Sequence, residues 1–238
     1  MEQAMFETHT NPSANDTGRY VLVFCAHSDD QVFGAGGTIA RLSAEGFTVI
    51  TIILSHGEMS HPWLKKEPLA RHRIQESVKA ARVLGIRTTI FFDLPEDRIH
   101  ESYTEHAALQ DALLTLLEKH PPERIFTHSD EDTHPSHRQV HLVVREAYRQ
   151  LKERHPDFTA DIYAYDIWTI AHFKRRDRKW VYYDITDHFQ KKIRALKTFR
   201  TQRIALVTLW LSVYGKAYLY GLFAHYRLAE RFSKISFE

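Results

Sequence analysis

A chain of 238 residues, 43% hydrophobic and 26% charged, is long enough to bury one large core, which excludes a disordered or fibrous polypeptide. Its formal net charge of +2 carries no general preference for polyanions. The single cysteine, Cys25, excludes both an intrachain disulfide framework and a cysteine-based zinc ribbon.

Residues 1–18 read as a flexible leader, polar and aperiodic, without the basic start and apolar stretch of a signal peptide. The folded domain is expected over 19–238. Residues 20–25 form a short valine-rich run that would bury Cys25 as an inert thiol. Residues 38–45 have helical spacing and stop at Gly46; 47–54 are a β-branched run; 69–84 are helical and stop at Gly85. Strand is expected at 88–92, helix at 104–119, strand at 124–127, helix at 137–152 and strand at 161–165. Apolar strands without polar alternation, separated by helices, indicate a Rossmann-like α/β fold. This is a doubly wound, mainly parallel sheet with helices on both faces. Beyond it, 168–171 and 180–184 flank the basic stretch 174–179, which suggests a hairpin with a basic tip. Asp187 is placed to cap a last helical region with Phe189, Ile193, Leu196 and Phe199 on one face. The longest apolar run, 204–214, falls short of the ~20 helical residues that span a bilayer. A cytoplasmic protein is therefore expected.

Two clusters carry chemistry. The first strand ends in Ala26-His27-Ser28-Asp29-Asp30-Gln31, with Gly34-Ala35-Gly36-Gly37 close behind. An imidazole and two carboxylates at a strand end resist burial unless something neutralises them. A divalent cation does so: His27 and Asp30 offer nitrogen and oxygen ligands for zinc, and Asp29 remains to handle protons. The second cluster, His128 to Arg138, follows the strand at 124–127 and contains His134-Pro135-Ser136-His137. At the topological switch point of a doubly wound sheet the two strand ends lie side by side. His27, Asp30 and His137 would then make a two-histidine, one-aspartate zinc site with an open position. Two histidines and a carboxylate also suit iron or another divalent metal. Taken singly, each cluster also fits a blander structure, a capping turn for the first and a helix start with exposed histidines for the second. The glycine segment is not G-x-G-x-x-G, because position 39 is Ile, so a dinucleotide site has little support.

At these residues the sequence resembles the PIG-L/LmbE family of zinc-dependent N-acetylglucosaminyl deacetylases. Ala26-His27-Ser28-Asp29-Asp30-Gln31 is similar to the family's Ala-His-Pro-Asp-Asp-Glu motif, and His134-Pro135-Ser136-His137 to its His-Pro-Asp-His. Leu54-Ser55-His56-Gly57-Glu58, Arg73-Ile74-Gln75-Glu76 with Leu84-Gly85, the 192–202 helix and Ala229-Glu230-Arg231-Phe232 also look like family features. The resemblance implies that His27, Asp30 and His137 hold zinc and that Asp29 is the general base. It further implies that His134 stabilises the oxyanion, that Arg73 contacts the sugar, and that Gln31 stands where a glutamate orients the site from behind. The alternative for Arg73 is a helix-surface ion pair with Glu76. Gln31, Ser28 and Ser136 depart from the family's Glu, Pro and Asp, while the ligand and base positions are kept.

The implied activity is removal of an acetyl group from the nitrogen of an amino sugar or glycoconjugate. Rival readings are a hydrolase of another amide or ester, a catalytically silent carbohydrate-binding protein and a nucleotide-binding Rossmann protein. His56, His61 and Trp63 sit in a loop that reads equally as a pocket wall and as plain surface. The basic stretches 174–179 and 191–203 suit either a charged glycan or solvent, and no nucleic-acid-binding motif accompanies them. The aromatic segment Trp210, Tyr214, Tyr218, Tyr220 and Phe223 suggests core packing or a homo-oligomer contact.

Overall fold

The computed structural model describes residues 6–55, 66–167, 178–200 and 203–237. The loop bearing His56, His61 and Trp63, and the strand expected at 168–171, lie outside the described residues.

The elements run β1 (Phe6–Thr10), β2 (Tyr20–Cys25), α1 (Asp30–Ala44), β3 (Thr48–Ile53), α2 (Lys66–Leu84), β4 (Thr88–Phe92), α3 (Ile99–Glu105) and α4 (Ala107–Lys119). They continue with β5 (Pro122–His128), α5 (Pro135–Arg154), β6 (Asp161–Tyr165), β7 (Lys179–Asp184), α6 (Phe189–Leu196), α7 (Arg203–Ala224) and β8 (Ala229–Ile235). One eight-stranded sheet has the order β1-β4-β3-β2-β5-β6-β8-β7. Its central five strands, β4 to β6 in that order, are parallel, and β1, β8 and β7 complete the edges in antiparallel pairings.

Alternation within each apolar strand explains the two-faced core. Val21, Val23 and Cys25 pack toward α1, α2 and α6, whereas Leu22, Phe24 and Ala26 pack toward α4 and α5. Cys25 is fully buried. Gly34 lets α1 lie against β6: a Cβ there would meet the Tyr165 ring at 2.2 Å. On the same side the buried Lys192 ammonium donates to Glu230 at 2.6 Å and to the Phe33 carbonyl at 2.7 Å. Glu230 also accepts the Gly37 and Thr38 amides at 3.0 and 2.7 Å, so this interior ion pair ties α1, α6 and β8 together with its polar atoms satisfied.

The structure corrects several expectations. Part of the stretch read as a leader is β1, an edge strand whose backbone pairs with β4 and whose Phe6 ring stands 5.3 Å from Phe92. Its side chains are mostly exposed, so no apolar period marks it. The helix expected at 104–119 is two helices broken at His106, whose ring nitrogen Nδ1 bonds the Ser102 carbonyl at 2.8 Å. β7 pairs with the distant β8, so the described half of the expected hairpin has a partner far along the chain. Arg178, read as part of a basic tip, instead turns its side chain inward, with its guanidinium on Asp130, Ser129 and Ser233. The N-cap of α6 is His188, not Asp187.

Candidate metal centre and active site

β2 and β5 are parallel neighbours, and the chain leaves them on opposite sides of the sheet. Their carboxyl ends therefore open one crevice. In the first loop, α1 begins at Asp30, so Asp29 is the N-cap residue, yet its side chain makes no capping hydrogen bond. The Asp30 carboxylate is the hub. Its Oδ2 accepts the His27 amide at 2.7 Å and lies 3.0 Å from His128 Nε2, while its Oδ1 lies 3.4 Å from His137 Nε2.

The second loop arrives from the end of β5. Pro135, whose missing N–H costs nothing at a helix start, opens α5 and brings His137 into the first turn, fully buried. Asp132 orients it from behind, with Oδ1 3.1 Å from His137 Nδ1. Asp132 is itself fixed by the His134 amide at 3.0 Å and by the Ile167 amide, beyond β6, at 2.9 Å. The His134 and His137 rings stack at 4.7 Å, and His27 meets His134 edge-on at 5.1 Å.

A third segment completes the crevice. Glu96, in the loop after β4, lies 2.9 Å from His27 Nε2 and 3.9 Å from His134 Nε2. Ser136 Oγ bridges the histidines, 2.7 Å from His134 Nδ1 and 3.3 Å from His27 Nε2. Arg73 is only 2% exposed. Burial lowers its pKa, opposed by the charges of Asp29, Glu96 and Glu76, so it is no surface ion pair. Gln31 donates to the Ser28 carbonyl and to Ser77 Oγ, both at 3.0 Å, tying the first loop to α2.

The charge balance calls for a cation. Burial alone would raise the Asp30 pKa, but His137, His128 and His27 hold it well below the carboxylate range. Burial alone would lower His27 and His137, but for His27 the carboxylates Asp30 and Glu96 carry it to about 10. For His137, Asp30 and Asp132 carry the pKa to about 9. His128 is pushed down to about 4 by burial and the His137 charge. Asp29 is pushed up to about 6, first by burial and then by Asp30. Without a metal, then, two imidazoles take up protons to balance the carboxylates, and a divalent ion would replace them.

The donors fit one. His27, Asp30 and His137 each offer a ligand atom within 4.8 Å of the others, as do His27, Glu96 and His134, and His128, Asp132 and His137. Two donors on a tetrahedral ion with bonds of about 2.0–2.1 Å sit roughly 3.4 Å apart. His137 Nε2 stands 3.4 Å from Asp30 Oδ1 and His27 Nδ1 3.5 Å from Asp30 Oδ2, so each imidazole keeps about that spacing from one of the two carboxylate oxygens. In the third group every member is fully buried and both Asp132 oxygens already accept backbone amides, which leaves no open position. The structure thus brings together His27, Asp30, His134 and His137, with Asp29 next in the chain to Asp30 and within electrostatic reach of His27 and Arg73. Glu96, Asp132 and His128 were given no role from sequence. For Glu96 the usable signal was an acid just beyond a parallel strand's carboxyl end, and for His128 the last position of such a strand.

The family model "PIG-L: GlcNAc-PI de-N-acetylase" matches residues 22–148, more than half of the chain. The chain is 26% identical over 200 residues to a diacetylchitobiose deacetylase of Thermococcus kodakarensis, covering 81% of this chain and 73% of the relative. Among solved structures, an N,N'-diacetylchitobiose deacetylase from Pyrococcus horikoshii superposes with a TM-score of 0.72 at 23% identity, covering 91% of this chain and 84% of the other. The 4-carboxy-2-hydroxymuconate hydratase GalB from Pseudomonas putida KT2440 has the same TM-score of 0.72 and 23% identity, covering 92% and 96%. The fold is therefore shared across chemistries, and the match over 22–148 is what assigns the lineage. The chain belongs to the PIG-L family, the GlcNAc-PI de-N-acetylase family.

Proposed function

We propose that the protein is a zinc-dependent hydrolase that removes the acetyl group from the nitrogen of an N-acetylated amino sugar or its glycoconjugate. Family membership and the relative that acts on diacetylchitobiose support the reaction class. The observation that carries the reading is the His27–Asp30–His137 donor set, with the buried Asp29 carboxylate adjacent in the chain and within electrostatic reach of Asp30 and His27.

His27, Asp30 and His137 would hold the ion. When bound, zinc supplies a Lewis acid that acidifies water and polarises the amide carbonyl. Asp29 takes the proton of the attacking water on a side-chain oxygen, a task suited to a carboxyl whose pKa burial has raised to about 6. His134, whose pKa burial lowers, offers a ring N–H to the developing oxyanion, its orientation set by Ser136 Oγ at 2.7 Å. The amine leaves with the proton that Asp29 collected, giving the free amino sugar and acetate. At 2% exposure Arg73 presents little surface to a sugar, and we assign it to balancing the charges of Asp29 and Glu96. Gln31 steadies the turn that carries Asp29 through the Ser28 carbonyl.

The test is acetate release from a panel of N-acetylated sugars, comparing zinc-loaded with chelator-treated protein. Release that disappears with the metal and returns on adding zinc supports the proposal. Stoichiometric zinc with no acetate from any member would overturn it. Asp29→Asn should keep its zinc and lose on the order of 10²–10⁴ in turnover.

A further inference from the structure

Helix α7 has one face anchored and one face open. Val213, Ala217 and Tyr220 are buried, and Lys216 turns inward to donate to the Ile167 carbonyl at 2.9 Å. The opposite face presents Leu211 at 80% exposure, Tyr218 at 60%, Phe223 at 62% and Leu222 at 57%, with Tyr214 and Leu219 between them and Tyr226 in the following turn. From 211 to 226 the sequence holds one lysine or arginine, Lys216, and it points the other way. The side chain of Trp210 lies outside the described residues.

With aromatic side chains at 150–250 Å² each, the open face amounts to on the order of 800 Å² of apolar and aromatic surface. The largest apolar patch of a typical monomer is about 300–600 Å². One side of a standard stable interface is about 800 Å². We infer that the outer face of α7 packs on the same face of a second copy of this chain, making a two-fold homodimer.

The composition distinguishes this occupant from a lipid surface. An interfacial membrane helix flanks its apolar stripe with lysine and arginine. Among the described side chains of α7 the only lysine or arginine is Lys216, which points inward, and Tyr218 lies within the patch, as in protein interfaces enriched in tyrosine and depleted of charge. Gly215, with nothing within 4 Å of where a Cβ would stand, leaves a notch on the same face for a side chain of the partner. A two-fold arrangement needs only this one self-complementary surface.

Sedimentation equilibrium on the full, zinc-loaded chain at micromolar concentration should give twice the chain mass. Tyr218→Arg and Leu222→Arg, both at exposed positions, should weaken association at least 100-fold while leaving the far-UV circular dichroism and zinc content unchanged. Because Cys25 is fully buried, Tyr214→Cys, Tyr218→Cys or Leu222→Cys would supply the one accessible thiol. Oxidation of these variants should give a covalent dimer at one position or more. A wild-type monomer at tens of micromolar overturns the inference, as does a dimer indifferent to both arginine variants or a scan with no cross-link. A monomer that floats with phosphatidylcholine–phosphatidylserine vesicles also overturns it and assigns the face to lipid.

Discussion

The two loops that flank the switch point deliver comparable groups to the crevice, but they are held in different ways. The β2–α1 loop is held largely by itself: Asp30 accepts the amide of His27, three residues earlier, and Gln31 holds the Ser28 carbonyl while reaching Ser77 of α2. The β5–α5 loop depends on distant chain. His137 is oriented by Asp132, and Asp132 is clamped by the Ile167 amide from beyond β6. Arg178, next to β7, grips the neighbouring Asp130 and Ser129. A site of this kind is half built by its own turn and half by strand pairing, so its second half is the more exposed to changes made elsewhere in the molecule.

The largest effect should come from the proposed ligands themselves, where the two loops ought to be equivalent. His27→Ala and His137→Ala are each expected to abolish zinc retention through gel filtration and to reduce acetate release by more than about 10³. Metal content by plasma mass spectrometry checks this. Stoichiometric zinc in His137→Ala alone would mean that the second loop contributes no ligand, and the comparison would fail.

A smaller effect should separate the loops. Asp132→Asn keeps the volume but removes the carboxylate that orients His137, and loss of such support behind a ligand typically weakens metal affinity about 10–100-fold. Gln31→Leu, the matched change behind the first loop, should do less, because Asp30 remains held by the His27 amide at 2.7 Å. Chelator competition on both variants gives the ratio. Equal losses would show that the first loop is no more self-sufficient than the second.

The same division decides what was legible in the sequence. Strand β2 coincides with the run read at 20–25, because a strand buried on both faces is written as a near-continuous apolar stretch. The meeting of His27, Asp30 and His137 followed from two polar clusters at the ends of strands that adjoin in any doubly wound sheet. β1 and β8 escaped notice because exposed or charged side chains interrupt them, and pairing with β4 and β6 supplies what an apolar period does not. Asp132 lies inside the His128 to Arg138 cluster, yet its task depends on the Ile167 amide, 35 residues on, which no local pattern reports. Glu96 comes from a third loop, and its approach to His27 is set by the position of β4 in the sheet.

The smallest predicted effect traces the distant support one step further. Lys216 donates to the carbonyl of Ile167, whose amide holds Asp132, which orients His137. Lys216→Met should therefore weaken zinc affinity by a few-fold, less than Asp132→Asn, because the Ile167 amide itself stays in place. Burial lowers the Lys216 pKa to about 8, although Asp166 pulls the other way. Between that value and the unfolded one of about 10.4, the unfolded chain binds a proton that the native chain does not, so this group makes stability rise with pH. Below pH 8 the native protein bears the cost of a charged, partly buried ammonium, and Lys216→Met removes that cost. The variant's stability advantage in urea should be greatest at pH 7 and shrink steadily from pH 8 to 10. A difference that stays flat across that interval would show that Lys216 is not buried against the Ile167 carbonyl, and the support behind His137 would then end at Asp132.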